Sequence, residues 1–467
     1  MIRQLNMIER LKHSMVLIIL VIIVGCSGEF ENNKTYFGGK IINPKTNYVV
    51  LFDNEVVFDT IYLNRDNSFL TEINLKNGGL YYFKHGNEHQ YIYIEPKDSV
   101  LVRLNTWDFD ESLVFSGKGA ERNNLLIDIF LENERDEKFF RTNRLYDLFP
   151  GEFRQKVDSI EELRIAMWKD FDIKNPEDSE SFKNILKIAL TYPLYAKVES
   201  YPMAHNAMSK NAEHEVVNRT FYTHRDNINL HNDSIMYFYA YRNLMMSHLY
   251  NKVNTAGHHH ESNEFTVSLL KTIANEVKNE RTRNAILRQT VVGHFYQKSS
   301  CDVNNEAFDT YFQLSSNEDD KDQVKKLWND SKIIHAGKKL HNFHITDYNN
   351  MDRSIKSIVK GKNAVIYFWN PEYTSRDFIA KRITFLARKH PNVEFVGIQL
   401  NGNGKDRIKQ LDIKSQYYVT TNSEANKFLT SQMPRTLLIN KKGTIINGYA
   451  SLNSRNIYDQ IEKLAKN

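Results

Sequence analysis

The sequence predicts a multidomain α+β protein with an N-terminal antiparallel β-sandwich, a helical middle domain and a C-terminal α/β domain. Three observations lead there. Short apolar runs broken by turn residues fill residues 36–118. Helical periodicity takes over across 119–335. From 336 to 467, near-continuous apolar runs alternate with amphipathic segments, as expected for a sheet buried on both faces. A chain of 467 residues has room for several domains, and 41% hydrophobic with 12% aromatic residues supplies their cores. The net charge of +5 is too balanced to predict a nucleic-acid partner.

The first segment, residues 1–25, reads as a signal peptide. Arg3, Arg10 and Lys12 precede an apolar run over 15–24, which is too short for a bilayer-spanning helix of about 20 residues. Val24-Gly25-Cys26 resembles the bacterial lipobox. That resemblance implies a lipid on Cys26, which would become the first residue of the mature chain and hold it to a membrane. A plain secretory signal is the other reading. Ser27 in place of an aspartate implies the outer membrane and leaves its periplasmic or surface face open. Residues 26–35 are a polar tether. The chain has only two cysteines, Cys26 and Cys301, so lipid on Cys26 leaves no intramolecular disulfide. A lone Cys301 near the end of a helical pattern is expected to be structural.

Within 36–118, the runs 49–52, 56–58, 91–94 and 100–102 are strand-like, and 77–79 and 96–98 are turns. The stretch from Tyr93 to Val100, with Phe109-Asp110, residues 115–120 and Asn123-Asn124, resembles the N-terminal β-domain of Bacteroidetes TlpA-like lipoproteins. In those proteins a helical region and a thioredoxin fold follow.

The helical domain, 119–335, should hold seven or eight helices. Leu269, Ile273 and Val277 share one face, and residues 185–190 form a buried stretch. Two features could carry chemistry. His258-His259-His260-Glu261 offers four metal-ligand types in a row, but neighbours so close rarely reach one ion together, and a solvated loop is expected. No metal and no cofactor are predicted. Tyr192-Pro193-Leu194-Tyr195 and Tyr201-Pro202 could grip a ligand, though such aromatics usually pack in a core.

In the last domain, Asn363–Trp369 and 393–400 read as buried strands. A helix between them can be capped by Thr374 or Ser375, with Phe378, Ile379, Ile383 and Leu386 as its apolar face. A short helix is expected at 423–430. Residues 435–449 form a hairpin turning at Lys441-Lys442-Gly443, and a last helix runs over 454–465.

This order, with Phe368-Trp369 and with Met433-Pro434 leading into the hairpin, resembles the TlpA-like thioredoxin fold. The resemblance implies a Cys-x-x-Cys after Phe368-Trp369 with three residues between. Those positions hold Tyr373, Thr374, Ser375 and Arg376, and neither end is cysteine. Tyr367 takes the place where many thioredoxins keep a buried acid. A phenol titrating near 10 cannot replace a thiolate at neutral pH, so thiol–disulfide exchange is not expected and no catalytic residue is nominated.

The family's proline loop presents backbone to extended peptides, which implies a groove at Trp369, Met433 and Pro434. Packing alone is the competing explanation for that constellation. The expected role is therefore a membrane-anchored binding or scaffold protein of the cell envelope, with a protein or peptide as partner. A TlpA-like thiol-disulfide oxidoreductase and a nutrient- or glycan-associated binding protein are the alternatives.

Overall fold

The computed structural model describes residues 34–467 except 55, 209–216, 231, 259–261, 298–304, 371–373, 401–407, 409–414, 421–422, 424, 426–434, 455 and 467. The expectations placed on Cys26, Cys301, His259 to Glu261, Tyr373, Met433 and Pro434 fall outside the described residues. Most of the short helix expected at 423–430 does too. The chain divides into two compact units, one up to His248 and one from Leu249 onward.

The first unit opens with eight strands: β1 (Thr35–Ile42), β2 (Tyr48–Asp53), β3 (Val56–Tyr62), β4 (Ser68–Ile73), β5 (Gly79–His85), β6 (Glu88–Ile94), β7 (Ser99–Asn105) and β8 (Val114–Ser116). They form two four-stranded sheets, ordered β4-β1-β7-β8 and β3-β2-β5-β6. Their inner faces share one core containing Phe37, Leu51, Phe83, Ile92, Val102 and Phe115.

The expected antiparallel sandwich needs one correction, because β1 and β7 pair in parallel from Tyr36↔Ser99 to Ile42↔Asn105. Parallel neighbours require a long connection, and five intervening strands supply it here. Close approach decides one residue of this pairing. A Cβ on Gly39 would lie 2.0 Å from the Val102 carbonyl oxygen.

Strand β3 is an outer strand of its sheet and is interrupted by a bulge between Leu51 and Phe52 of its partner. Its Asp59 carboxylate accepts from the Thr71 hydroxyl at 3.1 Å.

Helices α1 (Ala120–Thr142), α2 (Pro150–Lys174) and α3 (Glu180–Met208) complete most of this unit. Phe149 in extended backbone and Pro150 at the first turn start α2, where a missing N–H costs nothing. Helix α3 contains Pro193 and Pro202. Pro193 cannot bond the Ala189 carbonyl one turn back. Asn133 of α1 donates to that carbonyl at 3.2 Å, and Arg164 of α2 donates to the Leu190 carbonyl at 2.7 Å, so the interrupted ladder is satisfied from outside. Tyr192, Tyr195 and Tyr201 are at most 7% exposed, which makes them core residues rather than a gripping surface.

Arg122 of α1 bonds Glu95 (2.7 Å), Asp98 (2.6 Å) and Asp178 (2.8 Å), joining the β6–β7 turn to the α2–α3 connection. Helix α4 (Tyr239–Thr255) follows.

The second unit contains α5 (Asn263–Glu276), α6 (Glu280–Gln297), α7 (Asn305–Leu314) and α8 (Glu318–Ile333). Ser262 caps α5 by accepting from the Phe265 amide, and Leu269, Ile273 and Val277 are buried as their spacing predicted. Asn317 caps α8, whose first turn carries Glu318, Asp319 and Asp320, well placed for the positive end of the helix dipole.

A seven-stranded sheet follows in the order β10-β9-β13-β12-β11-β14-β15. Its strands are β9 (His344–Asp347), β10 (Asp352–Ser354), β11 (Asn363–Trp369), β12 (Val393–Gln399), β13 (Gln416–Tyr418), β14 (Arg435–Ile439) and β15 (Ile445–Ala450). Strands β12 and β13 run parallel to their inner neighbours, while β14 and β15 are antiparallel. Among the described residues, helices α9 (Ile355–Val359), α10 (Arg376–Lys389) and α11 (Ile457–Lys466) accompany it.

The sequence β11-α10-β12, then β14-β15-α11, is the order that the thioredoxin resemblance implied. The chain is therefore multidomain α+β with a thioredoxin-like region. All seven residues of β11 are buried, as expected for its near-continuous apolar run. Val365, Tyr367 and Trp369 pack with Ile379, Ile383, Ile457 and Ile461 under α10 and α11.

Candidate functional site

The place to look for chemistry is the start of α10, where the chain leaves the buried strand β11. The Trp369 carbonyl accepts from Leu400 (2.8 Å), and the Asn370 carbonyl accepts from Thr374 (3.0 Å), so the turn is tied back to the sheet. Ser375 then adopts extended backbone (φ −67°, ψ 146°) and its hydroxyl accepts from the Phe378 amide at 3.2 Å. This satisfies one of the orphan amides at a helix start. Arg376 is the first residue of α10, and Asp377 places an acid in its first turn.

Beside this turn is a shallow surface depression of about 460 Å³ between Thr374, Ser375, Phe378, Arg382 and Asn453. Arg382 does not offer a spare charge there. Its Nε donates to the Leu452 carbonyl (2.8 Å), one Nη to the Ser454 carbonyl (3.2 Å) and the other to the Tyr458 hydroxyl, whose ring it also covers. The guanidinium thus fastens the β15–α11 loop to α10 and serves as one wall of the depression.

Trp369, assigned above to a groove, is only 4% exposed and lies in the core beneath α10. Its indole supports the site from below and contributes no surface. Of the four positions matching the redox motif, Thr374, Ser375 and Arg376 are together at the helix start, and Tyr373 lies outside the described residues.

Tyr367 is fully buried and its hydroxyl has no hydrogen-bond partner. Burial, with a smaller contribution from Tyr348, pushes its phenol far above the ordinary range. It therefore stays protonated and neutral, unlike a carboxyl group in the same place. The ring lies over Gly397 of β12, where an added Cβ would be 2.4 Å from the hydroxyl oxygen.

Two buried charge clusters were not singled out in the sequence. Arg435, the first residue of β14 and the residue after Pro434, donates to Asp330 of α8 at 2.7 Å, with side chains 1% and 0% exposed. The Tyr449 ring lies 6.0 Å from the guanidinium and packs edge-on against Phe295. The signal was present: an arginine opening an otherwise apolar strand needs a buried partner.

In the first unit, Glu199 of α3 accepts from Arg225 (2.7 and 2.5 Å), His224 (3.0 Å) and His248 (3.3 Å). Burial alone would raise its carboxyl pKa, but the bonds from Arg225, His224 and His248 outweigh that and hold it far below the usual range. Tyr195 stacks on His224 at 4.8 Å. The clue here was an acid deep inside a helix whose central stretch is largely apolar.

Among the described residues, no group of three or more His, Cys, Asp or Glu side chains could hold a metal ion. No helix there is long and apolar enough to cross a membrane.

No protein-family model matches this chain, and no curated protein matches it. Solved structures are similar over a little more than a quarter of the chain. One is the thioredoxin domain of a thiol-disulfide oxidoreductase from Bacteroides vulgatus (17% identity, TM-score 0.24, covering 28% of this chain and 97% of that one). Another is a thiol:disulfide interchange protein from Bacteroides sp. (15%, TM-score 0.25, 29% and 93%). A third is a secreted Mycobacterium tuberculosis disulfide oxidoreductase (19%, TM-score 0.21, 26% and 96%).

Proposed function

We propose that this chain is an envelope lipoprotein, held to the outer membrane by lipid on Cys26, whose thioredoxin-like domain binds a protein or peptide and performs no thiol–disulfide exchange. The observation that carries this reading is the first turn of α10. Exchange would need sulfur at positions 373 and 376, which hold Tyr373 and Arg376, and between them Ser375 spends its hydroxyl on the Phe378 amide. With only two cysteines in the chain, Cys26 and Cys301, no dithiol can form at positions 373 and 376 in any conformation.

Binding needs no sulfur. A proline loop that exposes backbone beside a sheet can take an extended strand, and shaped neighbours then choose its side chains. Anchorage of Arg435 to Asp330 supports this by fixing the end of that loop.

An insulin-reduction assay on the chain with Cys26→Ser tests the reading. Turnover no higher than that of a further Cys301→Ala variant is expected. Turnover well above that control overturns it in favour of an oxidoreductase. Peptide-array binding should be present in the same protein and weakened by Pro434→Ala. A second reading, glycan association, draws on the exposed Tyr48–Tyr62 ring pair of the sandwich, and binding that survives Pro434→Ala but is lost in Tyr62→Ala would favour it.

A further inference from the structure

The end of the sandwich contains a histidine that accepts from one loop and donates to the strand that follows it. His85, the last residue of β5, is 1% exposed. Its Nε2 accepts from the Lys45 amide at 2.9 Å, and its Nδ1 faces the Tyr48 carbonyl at 3.0 Å, with the Thr46 hydroxyl at 3.3 Å. A backbone N–H can only donate, so Nε2 must carry the lone pair. A carbonyl can only accept, so Nδ1 carries the proton. The geometry therefore specifies the neutral ring and one tautomer.

The loop has few other ties at its centre. Its start is held by the Asn43 carbonyl, which accepts from the Thr106 hydroxyl, and its end by the Asn47 carbonyl, which accepts from the Leu63 amide. Lys45 itself packs over Gly86, where an added Cβ would be 3.1 Å from Lys45 Cβ.

We propose that His85 is a proton-sensitive latch, closing the β1–β2 loop (residues 43–47) over the sandwich at neutral pH and releasing it on acidification. A proton added at Nε2 would point at the Lys45 N–H, replacing a hydrogen bond with two opposed donors in a dry site. Burial, partly offset by the bond to the Tyr48 carbonyl, lowers the ring's pKa, in keeping with that conflict.

The charged neighbours do not rescue the cation. On the loop the only ionisable side chain is that of Lys45. Lys84 precedes the ring on β5 and is exposed, and Glu88 stands opposite it in the β5–β6 register and is exposed. On β2 the adjoining residue is Tyr48, paired with Tyr62 of β3. None of these side chains is hydrogen-bonded to the imidazole. Release would free the loop that leads into Tyr48, which is paired with Tyr62 on the adjoining strand (rings 6.3 Å apart, edge-to-face). The latch is independent of the function proposed for the C-terminal domain.

Hydrogen exchange of the full chain, corrected for intrinsic rates and compared at pH 7.5 and pH 5, tests this. Protection of a peptide containing Lys45 should fall about tenfold at the lower pH, the worth of one buried hydrogen bond. The turn 64–67, which holds no histidine, should not change and acts as an internal reference. In His85→Gln the difference between the two pH values should vanish. Equal protection of the loop at both pH values in the parent protein overturns the proposal. So does an equal loss in the turn 64–67, or a loss that persists in His85→Gln. If His85→Gln fails to fold, Lys45→Pro removes the donated N–H and must likewise abolish the pH response of the remaining loop amides.

Discussion

Replacing Asp330 by alanine isolates the energetics of the β14 anchor. The pair it forms with Arg435 is almost dry, and the charges are 2.7 Å apart. At an effective dielectric near 20, the attraction at that distance is about 6 kcal/mol. Most of it offsets the cost of bringing both ions out of water, so the pair contributes little net stability. Removing one partner is different, because the guanidinium stays buried while its compensation is gone.

The expected loss is about 3–5 kcal/mol. In a domain of this size that corresponds to roughly a 6–20 °C drop in melting temperature. Calorimetry together with urea unfolding measures both quantities. An Asp330→Leu/Arg435→Met double variant should recover most of the loss, since an apolar pair of similar volume has no charge to strand. A loss under about 1 kcal/mol in Asp330→Ala, or a double variant worse than the single one, would refute the reasoning.

Other expectations follow from the same kind of argument. Gly397→Ala should destabilise by about 1–3 kcal/mol, because its Cβ meets the Tyr367 hydroxyl at 2.4 Å, and adding Tyr367→Phe should return part of that in a chemical-denaturation series. Tyr367→Phe alone should be neutral or slightly stabilising, since it deletes a buried hydroxyl without a partner. Glu199→Gln should cost about 3 kcal/mol at pH 7 by leaving Arg225 without its carboxylate. The pH dependence has a definite sign. The carboxyl pKa of Glu199 is depressed on folding, so its contribution is present above the unfolded value near 4.5 and is lost as pH falls below it. Stability measured from pH 6 to pH 3 should decline less steeply in Glu199→Gln than in the parent. Asp98 and Asp178 have the opposite sign. Burial raises both despite Arg122, so their contribution is present below the unfolded carboxyl range and is lost as pH rises through the folded values. Arg122→Met should therefore make the unfolding midpoint rise on mild acidification, read by the same scans.

Periodicity made the secondary structure legible where it was strong. The run Asn363–Trp369 has no polar alternation because both its faces are covered, and it is buried throughout. Ser375 was recognisable as a cap because it is a hydroxyl residue preceding an apolar helical face. Short pieces escaped: β10, α9 and β13 span three to five residues each, too few for a period to show. Register escaped too. Nothing local to β1 says that its neighbour is β7, six strands later, since that pairing depends on shape rather than on a nearby turn. The expected groove erred at Trp369 for a physical reason. An aromatic at a strand end suits a surface wall and a core equally well, and only the position of α10 over it decides.

The bulge in β3 bears on how that edge could meet another strand. An outer strand with exposed Val56, Val57 and Phe58 would ordinarily invite a foreign strand to zip alongside. Here the extra residue breaks the regular spacing of its amides, and Asp59 would bring a carboxylate into any such contact. A bulge and a carboxylate on an apolar outer strand are both features that work against a regular ladder forming along that flank.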